Sequence, residues 1–124
     1  RSPERVMRLV AEAPGRGVKV FIVGAGAAAH LAGVVAAHTA MPVIGVPIDS
    51  SALKGWDALL STVQMPPGVP VATVSIGKPG ATNAGVLAAQ ILAIGDPAIA
   101  ERLVGYKKRL AEKVEAAAAK LAQS

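Results

Sequence analysis

The sequence predicts an α/β protein in which helices cover a parallel sheet. Two apolar runs, VFIV at residues 20–23 and VIGV at 43–46, lack the polar alternation of a half-exposed strand. They read as strands buried on both faces. Segments with helical character stand between such runs, in the order αβαβαβαα. The 124-residue chain is also 52% hydrophobic but only 2% aromatic, so its core must be built from Val, Ile, Leu and Ala, as in closely layered parallel sheets.

Ser2-Pro3-Glu4 is a helix start, with Ser2 as N-cap, Pro3 at the first helical position and an acid in the first turn. Val6, Leu9, Val10 and Ala13 supply the apolar face, and Pro14-Gly15 ends the helix. Residues 18–23 form the first strand. Gly24-Ala25-Gly26 reads as a turn, and a helix of very small residues, suited to close packing on the sheet, follows over 27–38. Residues 43–46 form a second buried strand ending at Pro47. Asp49, Ser50 and Ser51 are capping residues for a helix over 51–63. Pro66, Pro67 and Pro70 then exclude regular hydrogen bonding. A third strand covers 71–76, a turn 77–80 and a helix 81–94. Asp96-Pro97 caps a final helix over 98–123. The pattern is doubly wound or flavodoxin-like, with an α/β unit over 1–96 and a C-terminal helix over 97–124. Three strands make a thin sheet for this class, where about five or six are usual. One or two further strands are therefore expected, from upstream of Arg1 or from another subunit. The opening on Arg1 rather than Met, within what reads as a loop, points to a fragment or a processed chain.

The absence of cysteine excludes disulfides, thiolate chemistry and Cys-type zinc sites, and fits a cytoplasmic protein. The net charge is +5. Residues 101–124 carry six bases against three acids, with Tyr106 the single aromatic and no repeated interleaving, which reads as a solvated helix face rather than a nucleic-acid surface. Residues 20–37 are apolar, but Gly24, Gly26, Gly33 and His30 divide them into strand, turn and helix rather than a membrane span.

Gly24–Ala29, GAGAAA, matches the dinucleotide fingerprint GxGxxA, and Asp49 stands where a ribose-binding acid would lie. A dinucleotide-binding oxidoreductase is thus one reading, and glycines serving only a tight turn are another. His30 is expected on the first turn or two of the following helix, where it can face the ligand crevice at the carboxyl end of the strands. His38 lies two turns further on and reads as structural. The two histidines cannot make a metal site alone. Gly77-Lys78-Pro79-Gly80 fails the phosphate-loop pattern, because Pro79 stands where Ser or Thr should follow the lysine.

Three longer segments go beyond fold class. GAGAAAHLAGVVAAHTAMPVIGVP, SSALKGWDALLSTVQMPPGVPVATVSIG and GATNAGVLAAQIL resemble the N5-carboxyaminoimidazole ribonucleotide mutase family of purine biosynthesis, also called the catalytic subunit of phosphoribosylaminoimidazole carboxylase. The resemblance runs almost continuously from Arg1 to about Leu92, and the DSSALKGWDALLSTVQMP stretch is similar to the bacterial mutase class. It implies a three-layer α/β/α sandwich, an octamer with active sites at subunit junctions, and no metal or organic cofactor. The implied reaction moves a carboxylate from an exocyclic nitrogen to a ring carbon, by decarboxylation and recapture of carbon dioxide in a closed pocket. The implied partners are a ribonucleotide, carbon dioxide and further copies of the chain, with no nucleic acid and no membrane.

The carry-over of site residues is partial. The family's ligand turn reads GAGGAAHLPG, and here it is GAGAAAHLAG. Ala25, Gly26, His30 and Leu31 match positions that line the nucleotide pocket. Ala27 and Ala32 depart from the pattern, and the extra methyl of Ala27 is expected to shift the turn slightly. Arg1 corresponds to the arginine that binds the phosphate. The family's main acid/base histidine would stand just before it, outside this chain, as would the first strand and its Gly-Ser-x-Ser-Asp loop. His30 is then an assisting group, and the fragment alone is expected to be inactive. Moving a carboxylate this way needs a proton delivered and removed, for which histidine is suited. The final helix, with Leu103, Leu110, Ala117 and Leu121 on one face, is expected to dock on a neighbouring subunit. A non-catalytic nucleotide-binding protein is the other alternative.

Overall fold

The structure, a computed structural model, describes residues 1–123; the last residue of the expected 97–124 helix unit, Ser124, lies outside the described residues. The chain divides into two compact units, Arg1–Ala88 and the residues from Ala89 onward. The first holds a parallel sheet of β1 (Phe21–Gly26), β2 (Val43–Ile48) and β3 (Ala72–Thr73), in the order β1-β2-β3. α1 (Pro3–Glu12), α2 (Leu31–Ala37) and α3 (Trp56–Val63) stand between and before these strands. α4 (Gly77–Ala93) follows β3, and α5 (Pro97–Ala122) lies in the second unit. The fold is thus a flavodoxin-like α/β arrangement, a parallel sheet flanked by helices.

One face of the sheet is covered by helices. Val10 of α1 and Ala32 and Val35 of α2 pack with Val23 of β1 and Val43 of β2, and Val6, Phe21, Ala36 and Val71 extend the cluster. α3 joins over β2: a Cβ on Gly45 would collide with the Thr62 and Val71 side chains, so glycine there sets how closely α3 can approach. On the opposite face Ile44 is completely buried, whereas Ile22, its partner across the ladder, is 49% exposed. That face is covered over β2 and open over β1.

Element boundaries differ from the sequence reading in ways that bear on the site. The first strand starts three residues later than 18 and runs on through the glycines, because β2 offers partners only from Val43 to Ile48. Its ladder begins at the Phe21 N–H, which donates to the Pro42 carbonyl, and ends with Gly26 opposite Ile48. Gly24-Ala25-Gly26 is therefore strand, not turn. Pro47 lies inside β2 rather than ending it. β3 pairs only with Ile44 and Gly45, so the lost donor falls where β2 has a single neighbour. β3 is far shorter than the expected 71–76. Residues 51–55 are turns, with Lys54 and Gly55 in the left-handed region, and α3 begins only at Trp56. Ser51 does not cap that helix; its hydroxyl donates to Asp57 (2.7 Å) and accepts from the Leu53 N–H. The expected turn at 77–80 is the first turn of α4, so GKPG forms no phosphate loop. In α1, Ser2 occupies the N-cap without a side-chain cap bond, and Leu9 is 49% exposed. The buried face follows Val6, Val10 and Ala13, spaced i, i+4, i+7, which leaves Leu9 off the stripe. Asp96 caps α5 as expected, accepting from the Ala98 and Ile99 N–H groups (3.0 and 3.2 Å).

The four residues Ala27–His30 turn the chain from β1 into α2. The Ala29 N–H donates to the Gly26 carbonyl (3.0 Å), and Ala27 (φ 51°) and Ala29 (φ 24°) both have positive φ. A Cβ in the left-handed region costs roughly 1–2 kcal/mol.

Relief of that strain makes Ala27→Gly stabilising, by about 0.5–1 kcal/mol in chemical denaturation, after the greater freedom of unfolded glycine is set against it. The same change at Ala28, which does not have positive φ, lowers stability. Ile44→Ala lowers the unfolding free energy by about 2–5 kcal/mol, whereas Ile22→Ala on the same face costs about 1 kcal/mol or less. Equal losses at the two positions would contradict the one-sided cover of β1.

Candidate functional site

The carboxyl end of β1 opens into a hollow of about 890 Å³. One wall is the stretch from Gly24 to Leu31, and Arg1, Ser2, Pro3 and Val6, at the start of α1, form the other. The chain builds it from local preferences. Ladder pairing carries β1 to Gly26, the Ala29–Gly26 hydrogen bond closes the turn, and α2 starts directly after His30. α1 is brought opposite because Val6 and Val10 share the apolar cluster with Val23 and α2.

All five residues singled out in the sequence, Arg1, Ala25, Gly26, His30 and Leu31, line this one hollow. Arg1 and His30 are exposed, Ala25 and Gly26 half-buried, and Leu31 37% exposed. His30 sits at the N-cap of α2 rather than within the helix, with helical backbone angles, and its imidazole makes no hydrogen bond among the described residues. It is free to meet a ligand from either ring nitrogen. His38 differs: its Nδ1 lies 2.8 Å from the Val34 carbonyl, which ties it to its own helix.

The walls are otherwise short of side chain. Gly24 to Ala29 present backbone and methyl groups, so a ligand can approach main-chain donors closely. Arg1 is the single charged side chain on the lining, and no carboxylate joins it. A guanidinium unopposed by acid favours a phosphate or carboxylate. No group of three or more His, Asp or Glu side chains comes together in a way that could hold a metal ion among the described residues.

Two features bear on the dinucleotide reading. That fingerprint needs its glycines in the turn, whereas Gly24 and Gly26 are ladder residues opposite Val46 and Ile48. Asp49, cast as the ribose acid, is absent from the lining, and its carboxylate packs against Gly77 at the start of α4.

Sequence reasoning missed the α1 wall, Pro3 and Val6, and it missed Ser50. Any Cβ on Gly26 would run into the Ser50 hydroxyl, so the two residues fix each other beneath the turn. The signal for Ser50 was its place two residues beyond Ile48, the ladder partner of Gly26. No helix among the described residues is long and apolar enough to cross a membrane.

The family model described as AIR carboxylase matches residues 1–113. A protein of Bacillus subtilis named N5-carboxyaminoimidazole ribonucleotide mutase is 59% identical over 103 residues, covering 83% of this chain and 64% of that protein. Proteins of the same name from Pyrococcus horikoshii and Mycobacterium tuberculosis are each 53% identical over 121 residues, which is 98% of this chain and 67% and 68% of theirs. The chain thus spans about two thirds of the length of these relatives. A match over nearly its whole length, with the GAGAAAHL segment along one wall of its hollow, places this chain in the AIR carboxylase family.

Proposed function

We propose that this chain supplies one wall of the nucleotide site of an N5-carboxyaminoimidazole ribonucleotide mutase of purine biosynthesis. The observation that carries the proposal is the convergence of Arg1, Ala25, Gly26, His30 and Leu31 on a single acid-free hollow. In this reading Arg1 holds the phosphate, and the backbone at Ala25 and Gly26 contacts the nucleotide. His30 meets the carboxylate or moves a proton beside it.

The chemistry sets the requirements. Breaking the bond between the exocyclic nitrogen and the carboxylate carbon releases carbon dioxide, leaves the electron pair on nitrogen and requires a proton there. The ring carbon then attacks carbon dioxide and afterwards gives up its own proton. Net proton count is unchanged, so a group that both donates and accepts suffices, and an imidazole does both. Carbon dioxide must be retained between the two steps, which favours a pocket with little water. Short walls of glycine and alanine suit that, provided further surface closes the hollow. We assign that surface to other parts of the assembled protein. No metal or organic cofactor enters this scheme.

The same reading makes the protein a cytoplasmic homo-oligomer, an octamer by analogy with the family. We divide the chain at residue 96, with 97–124 as a docking helix. α5 has no fully buried residue, and of its stripe Leu110, Ala117 and Leu121 are exposed while Leu103 is half-buried.

In the protein that carries this chain, His30→Asn lowers turnover by about 10²-fold or more while the assembly sediments unchanged. Unchanged turnover would reduce His30 to a structural residue. The carboxyamino ribonucleotide raises the melting temperature and nicotinamide dinucleotides do not; the reverse result would restore the oxidoreductase reading. Leu103→Asp with Leu110→Asp shifts sedimentation toward smaller species, and an unchanged profile would remove α5 from the interface.

A further inference from the structure

A second hollow, of about 230 Å³, lies on the face of α1 remote from the buried stripe. It is lined by Arg5, Arg8 and Leu9 of α1, by Glu12 at its end, and by Arg16 of the 3-10 turn that follows. Three guanidiniums against one carboxylate leave an excess of positive charge over a small area. Arg8 and Glu12 are spaced i, i+4, a separation at which opposite charges commonly pair. Here they do not: none of the three arginines makes an ion pair or a side-chain hydrogen bond among the described residues.

The turn that brings Arg16 to the cluster is well fixed. Arg16 and Val18 both donate backbone N–H to the Ala13 carbonyl (3.1 Å each), Gly17 donates to Pro14, and Gly17 takes the left-handed conformation that ends the turn. Ala13 itself is 2% exposed and anchored in the unit. Arg16 is thus held at the end of α1 by ordered backbone rather than by a flexible tail. Leu9, 49% exposed, gives the hollow an apolar floor over which flat guanidinium groups can lie.

Like charges held together repel, and the arrangement is relieved when an anion sits between them. Guanidinium groups match phosphate oxygens two at a time, which a cluster of lysines would not do. We propose that the Arg5–Arg8–Arg16 hollow binds a small phosphate-bearing ligand of the pyrophosphate class. The ligand is a small molecule rather than a nucleic acid, because the basic cluster is compact and no aromatic residue lines it for base stacking. The site is separate from the hollow at His30, with which it shares no lining residue.

The test is a titration of the chain with inorganic pyrophosphate at constant ionic strength, followed through the arginine Nε–Hε resonances. Saturable shifts at Arg5, Arg8 and Arg16 are expected, and Arg8→Gln and Arg16→Gln each weaken binding about ten-fold. Arg102→Gln removes the same charge from α5 and leaves the affinity unchanged. A nucleoside diphosphate run in parallel distinguishes sources: tighter binding than pyrophosphate marks a nucleotide site, and equal binding marks a site for the free anion. Non-saturating shifts, an Arg102→Gln effect as large as that of Arg8→Gln, or tighter binding of a single-stranded oligonucleotide than of either probe would each overturn the proposal.

Discussion

The ladder between β1 and β2 is the constraint on which the site depends. It runs six residues in unbroken register, from Phe21 opposite Val43 to Gly26 opposite Ile48. Because β2 extends to Ile48, the ladder carries Gly24 and Gly26 in extended conformation to the rim of the sheet. The reversal is then compressed into Ala27–His30, with positive φ at two alanines. A shorter ladder would have let the glycines make the turn and drawn His30 into α2. The length of β2 thus decides where the histidine stands. It also sets Ser50 under Gly26, a contact that only glycine admits.

The packing of α1 completes the arrangement at little cost. Val6 and Val10 are placed by the apolar cluster, and the start of the same helix brings Pro3, Ser2 and Arg1 to face the turn. One helix therefore serves the core with one stripe and the site with its amino end. Its outer side is left to Arg5 and Arg8. Burial, ligand wall and charged surface are partitioned by rotation about a single axis, as the period of 3.6 residues allows.

Much of this was legible in the sequence. Unbroken apolar runs gave parallel strands, and Asp96 is the N-cap that the sequence reading named, with α5 starting at Pro97, one residue before the expected 98. The convergence of Arg1 and His30 was foreshadowed by resemblance, not by spacing, since 28 positions separate them in a chain whose topology alone closes the gap. Boundaries at the carboxyl ends of strands were not legible. A run such as VFIVGAG carries no local mark of where pairing stops, because that is decided by a partner some twenty residues away. Small residues made the same error in the other direction at Gly77, where a stretch with turn composition is the first turn of α4. Leu9 was misplaced because its neighbours at 6, 10 and 13 already fill the width of the sheet-facing stripe.

The Asp96 cap has a consequence for cooperativity. α5 begins on hydrogen bonds from its own residues and buries none of its 26 residues. Within the chain by itself Ile99, Ala100, Leu103, Gly105 and Tyr106 are half-buried and everything from Lys107 to Ala122 is exposed, so the winding of that outer stretch rests on local helix formation rather than on a core. A thermal or denaturant transition read by helical circular dichroism would mix two processes, one cooperative and one a gradual fraying from the carboxyl end. Amide exchange, resolved residue by residue, separates them: protection in β1 and β2 follows global opening, while in the unassembled chain protection from Lys107 onward reports the length of helix still wound.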